Sequence, residues 1–203
     1  MKLKKGLLMI GSVAFVLGAS AYGVANADDT TPTAPTAGKA QGNTYITFTT
    51  PTTGQLTLDK VPTYDFGTNQ LSSTVTQYKT NGNNPYTATN LTGDSNGYTI
   101  TASASPLKNS DAVLPVKDLL VSAADGAIDA TTKGQLSGAQ NVNIYSSTPG
   151  QSAANKVATG NASSNGTLSS GDTSSVMDLS TANGIKSGKY TGTIDYTITD
   201  GIN

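Results

Sequence analysis

Residues 190–199 read Y-T-G-T-I-D-Y-T-I-T, and this segment gives the clearest indication of the fold class. Successive side chains of a β-strand point to opposite faces. One face of the predicted strand therefore carries Tyr190, Gly192, Ile194, Tyr196 and Ile198, whereas the other carries only threonine and aspartate. The tetrapeptide Y-T-I-T also occurs at residues 98–101, where Y-T-I-T-A-S-A-S alternates in the same way. Two strands with one apolar and one polar face indicate an antiparallel, all-β fold.

Shorter stretches with the same period complete this prediction. Turns rich in Gly, Asn, Asp, Ser and Pro separate them, as expected between strands. A short helical turn is expected within residues 111–130, and a long surface loop, with a strand at 155–159, is expected at residues 146–172. We predict an antiparallel β-sandwich or a related β-barrel-like domain with long polar loops. The further strands are predicted at residues 45–50, 56–58, 119–122, 141–145 and 176–179.

The N-terminal residues predict export. Three lysines precede an apolar stretch, and Ala25-Asn26-Ala27 provides the small residues that a signal peptidase recognises. Residues 1–27 are therefore predicted to be a signal peptide. Residues 28–42, rich in Thr, Pro and Ala, are predicted to be a flexible leader, and residues 43–203 the β domain. No later apolar run has the roughly 20 residues needed to span a bilayer, so we expect no membrane span after cleavage.

The composition narrows the means of attachment to the cell. The chain has no cysteine, which excludes a lipoprotein anchor and a disulfide framework. The end of the sequence lacks the hydrophobic tail and basic cluster of sortase substrates. We therefore expect an exported protein that is held at the cell surface by non-covalent binding. Removing the signal-peptide lysines leaves nine lysines against 13 aspartates, a net charge of −4, and without arginine this balance argues against nucleic-acid binding.

Catalysis and metal binding have little support in the sequence. Without His or Cys, nucleophile–histidine arrangements are impossible and zinc lacks its usual ligands. A glycosidase using two aspartates remains as an alternative, but no spacing favours it. Four aspartates lie in polar turns, where either calcium ligation or Asx-turn formation is conceivable, and we favour Asx turns. We predict no enzyme, cofactor or metal site; the four residues considered are Asp94, Asp125, Asp129 and Asp172.

The paired Tyr-x-Ile motifs have two interpretations. Tyr98 and Tyr196 could stack on sugar rings through their apolar faces and bind through their hydroxyls. Alternatively both belong to the core, because each shares a strand face with aliphatic residues, Ile100 and Ile198 among them. We favour the core interpretation. The Thr/Ser/Asp face of the same strands is expected to be solvated, with hydrogen bonding to glycan as the alternative.

Four segments occur along the chain in a fixed order: V-P-T-Y-D-F-G at 61–67, L-T-G-D-S-N-G-Y-T-I at 91–100, S-V-M-D-L at 175–179 and G-K-Y-T-G-T-I-D-Y-T-I-T-D-G at 188–201. In this order they resemble the WxL-domain proteins of Gram-positive bacteria, over residues 54–203. Both motif tryptophans of that family are tyrosines here (Tyr98 and Tyr196), both leucines are isoleucines (Ile100 and Ile198), and Ile202 replaces a closing proline.

This resemblance implies an all-β domain bound non-covalently to peptidoglycan at the cell wall. It also implies partners, namely larger WxL proteins and a membrane-anchored surface protein. The motif residues Tyr98, Ile100, Tyr196 and Ile198 would then serve either structure or wall binding. The alternative is a protein-interaction module that such a partner holds at the surface without contact to glycan.

Overall fold

The computed structural model describes residues 44–146 and 154–202. The predicted signal peptide and leader lie outside these residues. The compact unit that contains the strands begins at Thr50. Its strands are β1 (Leu56–Lys60), β2 (Gln77–Asn81), β3 (Thr87–Asn90), β4 (Tyr98–Ala104), β5 (Lys108–Asn109), β6 (Ala112–Val113), β7 (Val116–Ala123), β8 (Leu136–Gly138), β9 (Val142–Asn143), β10 (Asn155–Gly160), β11 (Gly166–Ser169), β12 (Thr173–Leu179) and β13 (Ile194–Asp200).

The strands form three main sheets in which every pair is antiparallel. One has the order β1-β3-β11, another the order β2-β12-β7-β9, and the third, here the motif sheet, the order β13-β4-β10-β8. A short β5-β6 hairpin forms a separate small sheet, and its Lys108 pairs with Thr191 just before β13. The sheets pack against each other, and the described residues contain no helix. The predicted all-β sandwich is confirmed.

The two copies of Y-T-I-T are neighbours in the motif sheet. Strands β4 and β13 pair without a register shift, and Ile100 lies opposite Ile198. Tyr196 lies opposite Ala102, and Tyr98 lies opposite Asp200. Residues directly opposite in adjacent strands point to the same face of a sheet. The repeated tetrapeptide therefore contributes one continuous apolar surface to the core.

Strands of all three sheets supply the core. The motif sheet contributes Tyr98, Ile100, Ala102, Val157 and Leu136, each at most 1% exposed. The facing sheets contribute residues with similar burial: Tyr86, Ala88, Leu119, Val121, Met177 and Leu179. Removing this much apolar surface from water is the main term that stabilises the domain.

The predicted strand at residues 45–50 is wrong. These residues have no regular structure, and the side chains of Ile46 and Phe48 are 75% and 85% exposed. The alternation of apolar residues is present, but no described strand pairs with this segment. A strand needs such a partner for its backbone hydrogen bonds, which the sequence pattern alone does not provide.

The predicted helical turn within residues 111–130 is also wrong. Strand β7 occupies the middle of this segment and buries Val116, Leu119, Val121 and Ala123. It lies between β12 and β9, where both of its edges are paired. Pairing on both edges satisfies its backbone hydrogen bonds in the extended state, which outweighs a weak local preference for helix.

The predicted surface loop at residues 146–172 needs correction where the structure describes it. The strand expected at 155–159 is confirmed as β10, but β10 is an inner strand between β4 and β8. Strand β11 follows, and the Ser164 side chain between them is buried. Small residues allow this close packing: at Gly160 an added Cβ would collide with the ring of Tyr98. Residues 147–153 of the predicted loop lie outside the described residues.

The other predicted strands are confirmed in position, with changed ends. Residues 98–104 of the predicted strand 98–105 form β4, residues 119–122 and 176–179 lie in β7 and β12, and 56–58 lie in β1. The closing strand begins at Ile194, later than predicted. The segment 141–145 is reduced to β9, although Ile144 is buried as expected. Strands β2, β3, β8 and β11 and the β5-β6 hairpin were not predicted by the alternation of apolar residues.

The polar face of the motif strands is solvated only in part. Asp195, Thr197 and Thr199 of β13 are exposed, as predicted. Thr99 of β4 is instead 3% exposed, and its hydroxyl donates a hydrogen bond to the Gly201 carbonyl at 3.0 Å. An inner strand thus keeps a buried threonine because its hydroxyl has a backbone partner.

Candidate functional site

The four motif residues form part of the packed interior. Tyr98 and Ile100 have no exposed surface, whereas Tyr196 and Ile198 on the edge strand are half-buried. The ring of Tyr98 packs over Gly160. This burial agrees with the core interpretation, and it leaves Tyr98 no face on which a sugar ring could stack.

Two further tyrosines, Tyr64 and Tyr86, lie close to Tyr196. The rings of Tyr86 and Tyr196 make an edge-to-face contact with centroids 5.8 Å apart and planes at 69°, a favourable aromatic geometry. The Tyr196 hydroxyl donates a hydrogen bond to the Pro62 carbonyl at 2.9 Å. The buried hydroxyls of Tyr64, Tyr86 and Tyr98 form no hydrogen bond with the described residues.

Burial of these hydroxyls disfavours their charged form. It raises the pKa of Tyr98 to about 12, with a smaller contribution from the nearby Asp59 carboxylate. It raises the pKa of Tyr86 further, and the neighbouring hydroxyls of Tyr64 and Tyr196 add to this effect. The pKa of Tyr64 and that of Tyr196 are also raised, mainly by burial. These phenols are therefore neutral structural groups at physiological pH.

A different feature has the form of a binding site. A groove with a volume of about 880 Å³ lies between the segment that follows β1 and the segment that precedes β13. Both segments carry motifs identified in the sequence, V-P-T-Y-D-F-G at 61–67 and G-K-Y-T-G-T-I at 188–194. We call this feature the motif groove. Its volume falls within the range of about 300–1,000 Å³ that is usual for small-molecule sites.

The floor of the motif groove is aliphatic. Its side chains belong to the core or pack directly against it, so the floor is held by the rest of the domain. A rigid apolar floor favours ligands with apolar faces. The floor is formed by Leu107, Leu114, Leu119, Met177 and Leu179.

Half-buried aromatic side chains line the walls of the motif groove: Tyr64, Phe66, Tyr78 and Tyr190. Hydrogen bonds hold the turn around Phe66. The Asp65 carboxylate accepts from the Gly67 amide at 2.8 Å, and the Asn69 side chain donates to the Phe66 carbonyl at 2.8 Å. Gly67 has φ +71°, which side chains other than glycine rarely adopt. This local geometry fixes the position of Phe66 at the wall.

The opposite wall is a loop held by Tyr190. Its hydroxyl donates to the Lys186 carbonyl and accepts from the Lys186 amide, each at 3.2 Å. The phenol thereby closes a loop of five residues and orients its own ring along the groove. Leu71 extends the groove surface outward and is 62% exposed.

The motif groove carries few charges. Its charged lining residues are Asp65, Lys186 and Lys189, all of them exposed. The polar remainder consists of neutral hydroxyl and amide groups, including Thr68, Asn69, Gln70, Ser187 and Thr191. Aromatic walls with neutral hydrogen-bonding groups suit a ligand that has both apolar faces and hydroxyl or amide edges.

The turn aspartates act as backbone acceptors. Asp94 accepts from the Asn96 amide at 3.0 Å, which confirms the predicted Asx turn. Asp129 accepts from the amides of Thr131 and Thr132, and these bonds lower the pKa of its carboxyl group. Asp125 instead accepts from the distant Gly138 amide at 3.0 Å. Asp172 contributes its backbone carbonyl as an acceptor for the Ala124 amide. Across residues 44–146 and 154–202, no group of three metal-ligating side chains comes together.

The groove residues were not predicted as a site from the sequence. Tyr64, Phe66 and Tyr190 lie within two of the quoted motifs, so the sequence contained a signal for them. The sequence prediction considered only Tyr98 and Tyr196 as residues that could contact sugar. The structure brings these flanking residues together at the groove, and neither motif tyrosine is among its lining residues. Only the tertiary pairing of strands reveals this proximity.

Comparisons with protein-family models, curated proteins and solved structures return no match for this chain. In the part of the chain that the structure describes, no helix combines the length and apolar character required to cross a bilayer.

Proposed function

We propose that this chain is a non-enzymatic surface protein of a Gram-positive bacterium that binds peptidoglycan non-covalently through the motif groove. Secretion to the cell wall follows in this proposal from the signal-peptide pattern at residues 1–27. Membership of the WxL-domain group rests on the ordered motifs, with tyrosine at both tryptophan positions. The observation that carries the proposal is the pair of motif segments that lines one aromatic groove.

The chemistry of the groove supports a glycan. A saccharide ring presents an apolar face to an aromatic side chain and hydroxyl groups at its edge. Phe66 and Tyr190 provide half-buried rings, and the neutral hydroxyls and amides around them provide hydrogen-bond partners. The exposed ammonium groups of Lys186 and Lys189 are suitably charged for the carboxylates of peptidoglycan stem peptides.

Sedimentation with purified, protein-free peptidoglycan tests this proposal. We expect the wild-type protein to sediment with the wall, and Phe66→Ala and Tyr190→Ala to weaken binding about tenfold, or about 1.4 kcal/mol. Leu91→Ala is the matched control, because Leu91 is 44% exposed and lies outside the groove. Thermal melting of each variant separates loss of binding from loss of folding.

The apolar floor favours a second function. Five aliphatic side chains at the base of the groove would also accept the side chains of a protein segment. In that case the chain is an interaction module held at the surface by a membrane-anchored or larger WxL partner. The protein would then stay in solution with pure peptidoglycan and sediment only after the partner is added. If the wild type and the groove variants bind pure wall equally well, both proposed functions of the groove are contradicted.

A further inference from the structure

Strand β13 differs from the other outer strands of the described sheets. It pairs with β4 over seven residues without a bulge and contains neither lysine nor proline. The other outer strands of the three sheets are short or interrupted. Strand β8 has three residues, β9 has two, and β11 has four and begins at Gly166, which has φ +100°. Strand β1 has a bulge and carries Lys60, and β2 carries Lys79.

Lysines, bulges and short lengths are the usual means of preventing a sheet edge from pairing with another chain. The sandwich thus blocks five outer strands and leaves the straight edge of β13 without these features. In the described residues, no strand forms backbone pairs with its outer side; β1 is a neighbour of β13 in the sandwich but is not paired with it.

The hydrogen bonds to β4 determine which backbone groups face outward. The Ser105 amide donates to the Thr193 carbonyl at 2.9 Å, and the Gly201 amide donates to the Gly97 carbonyl at 3.0 Å. In an antiparallel pair, bonding to one neighbour alternates along the strand. The odd-numbered residues of β13 therefore bond to β4. The outward N–H and C=O groups are those of Ile194, Tyr196, Ile198 and Asp200.

We infer that β13 pairs with β13 of a second copy of the chain, antiparallel and centred on Thr197. Ile194–Asp200 is symmetric about Thr197, so this register is the one that pairs the whole strand. Tyr196 then lies opposite Ile198 of the second copy, and the outward groups of the two residues exchange both hydrogen bonds. The motif sheets of the two copies join into one continuous sheet.

The side chains favour a second copy in this register. Tyr196 and Ile198 meet on the apolar face, and Thr197 meets Thr197 of the second copy on the polar face. Asp195 lies opposite Thr199 of the second copy, so a carboxylate faces a hydroxyl. Centring the pair on Asp195 would instead oppose two carboxylates, which is destabilising. At each end of this register Ile194 lies opposite Asp200 of the second copy, so the register is favoured by its central pairs and by the separation of the two Asp195 carboxylates.

A single cysteine tests this geometry directly, because the chain has none of its own. Thr197 forms a non-hydrogen-bonded pair with its counterpart, with Cα atoms about 4.5 Å apart, within the range that a disulfide spans. We expect Thr197→Cys to form a covalent dimer on mild oxidation of the purified protein, reversed by reductant. Thr199→Cys is the matched control: Thr199 is equally exposed on the same face, but its counterpart lies roughly 13 Å away. Equal cross-linking of both variants, or none with Thr197→Cys, would overturn the inference.

Charge substitutions test the same register without a covalent bond. Thr197→Lys places two ammonium groups side by side and should shift the protein to monomer in sedimentation equilibrium. Thr199→Lys places an ammonium group beside Asp195 of the second copy and should retain or strengthen the dimer. Both sites are solvent-exposed, so the melting of the monomer should change little. A wild-type protein that remains monomeric over a wide concentration series, or loss of dimer in both variants, would exclude self-pairing; strand addition from a different protein would then be the explanation for the open edge.

Discussion

The hydroxyl of Tyr196 donates a hydrogen bond to the carbonyl oxygen of Pro62 over 2.9 Å. This bond joins β13 to the V-P-T-Y-D-F-G segment that follows β1. Pro62 is buried, so its carbonyl has limited access to water, and the phenol supplies the partner that a buried carbonyl needs. The second Tyr-x-Ile motif thus anchors one wall of the motif groove while its ring packs in the core.

Replacing the two motif tyrosines by phenylalanine should have opposite effects on stability. Tyr196→Phe removes the bond to Pro62 and leaves a buried carbonyl unpaired, so we expect a loss of about 1 kcal/mol in the free energy of unfolding. Tyr98→Phe removes a buried hydroxyl that has no partner among the described residues, so we expect no loss or a small gain. Urea denaturation of both variants and wild type measures this difference.

The same pair of variants separates core from contact roles. Tyr98→Phe should bind purified peptidoglycan as wild type does, and Tyr196→Phe should retain most of its binding, because neither side chain lines the motif groove and the bond to Pro62 supports the groove wall only indirectly. Loss of wall binding by Tyr196→Phe with unchanged melting would show that its hydroxyl contacts the glycan, against the core interpretation.

The all-β class was predictable because alternation is strong where strands bury one face. Strands β4, β12 and β13 show it directly in their sequences. Strand β3, with the sequence T-A-T-N, lacks large apolar residues and gives no such signal, although Ala88 at its centre is fully buried. Pairing with β1 and β11 makes β3 the central strand of its sheet, and Ala88 is buried because this sheet packs on the core. Such pairing depends on long-range contacts that a local pattern does not encode.

The candidate site was less predictable than the fold. Tyr64 and Tyr190 lie far apart in the sequence, and they line the same groove only because β1 and β13 are neighbours at one side of the sandwich. The sequence motifs could be recognised, but the residues in them that alternate most strictly are those that pack in the core. Alternation of apolar and polar residues identifies core positions. The groove residues lie where this alternation ends, before Ile194 and after Lys60.

The two isoleucines of the motifs should contribute unequally to stability, although they lie opposite each other. Ile100 is on an inner strand with no exposed surface, so Ile100→Ala should destabilise the domain by about 2–5 kcal/mol. Ile198 is half-buried on the edge strand, so Ile198→Ala should cost roughly half as much because less apolar surface returns to water. Chemical denaturation measures both. Equal losses would mean that β13 is covered in solution, as in the proposed dimer.

Alkaline pH should unfold the domain. Tyr98 has a pKa raised to about 12 from the ordinary value of 10.0, and Tyr64, Tyr86 and Tyr196 are raised as well. The folded state thus holds these protons more tightly than the unfolded chain. The stability linked to them is fully present below about pH 10 and is lost as pH rises towards 12. Urea midpoints measured over a pH series should be flat up to about pH 9 and then fall, and the fall should be shallower in Tyr98→Phe.

Two glycine substitutions should differ sharply in cost because their surroundings differ. At Gly160 an added Cβ would collide with the buried ring of Tyr98, which has no free space to move into. Overpacking of this kind costs typically 1–3 kcal/mol and occasionally more, and we expect Gly160→Ala to lie at about 3 kcal/mol. Gly67 has open space around it and a φ of +71°. Gly67→Ala should therefore cost only the backbone strain, about 1–2 kcal/mol.

A double-mutant cycle identifies the cause of the Gly160 effect. If the clash with Tyr98 is responsible, shortening that side chain with Tyr98→Leu should relieve part of the cost, so that the double variant is more stable than the two single losses predict. Denaturant midpoints of the four proteins give the coupling energy. Strictly additive losses would show that the cost arises elsewhere, in the bulged backbone of β10 between Lys156 and Ala158.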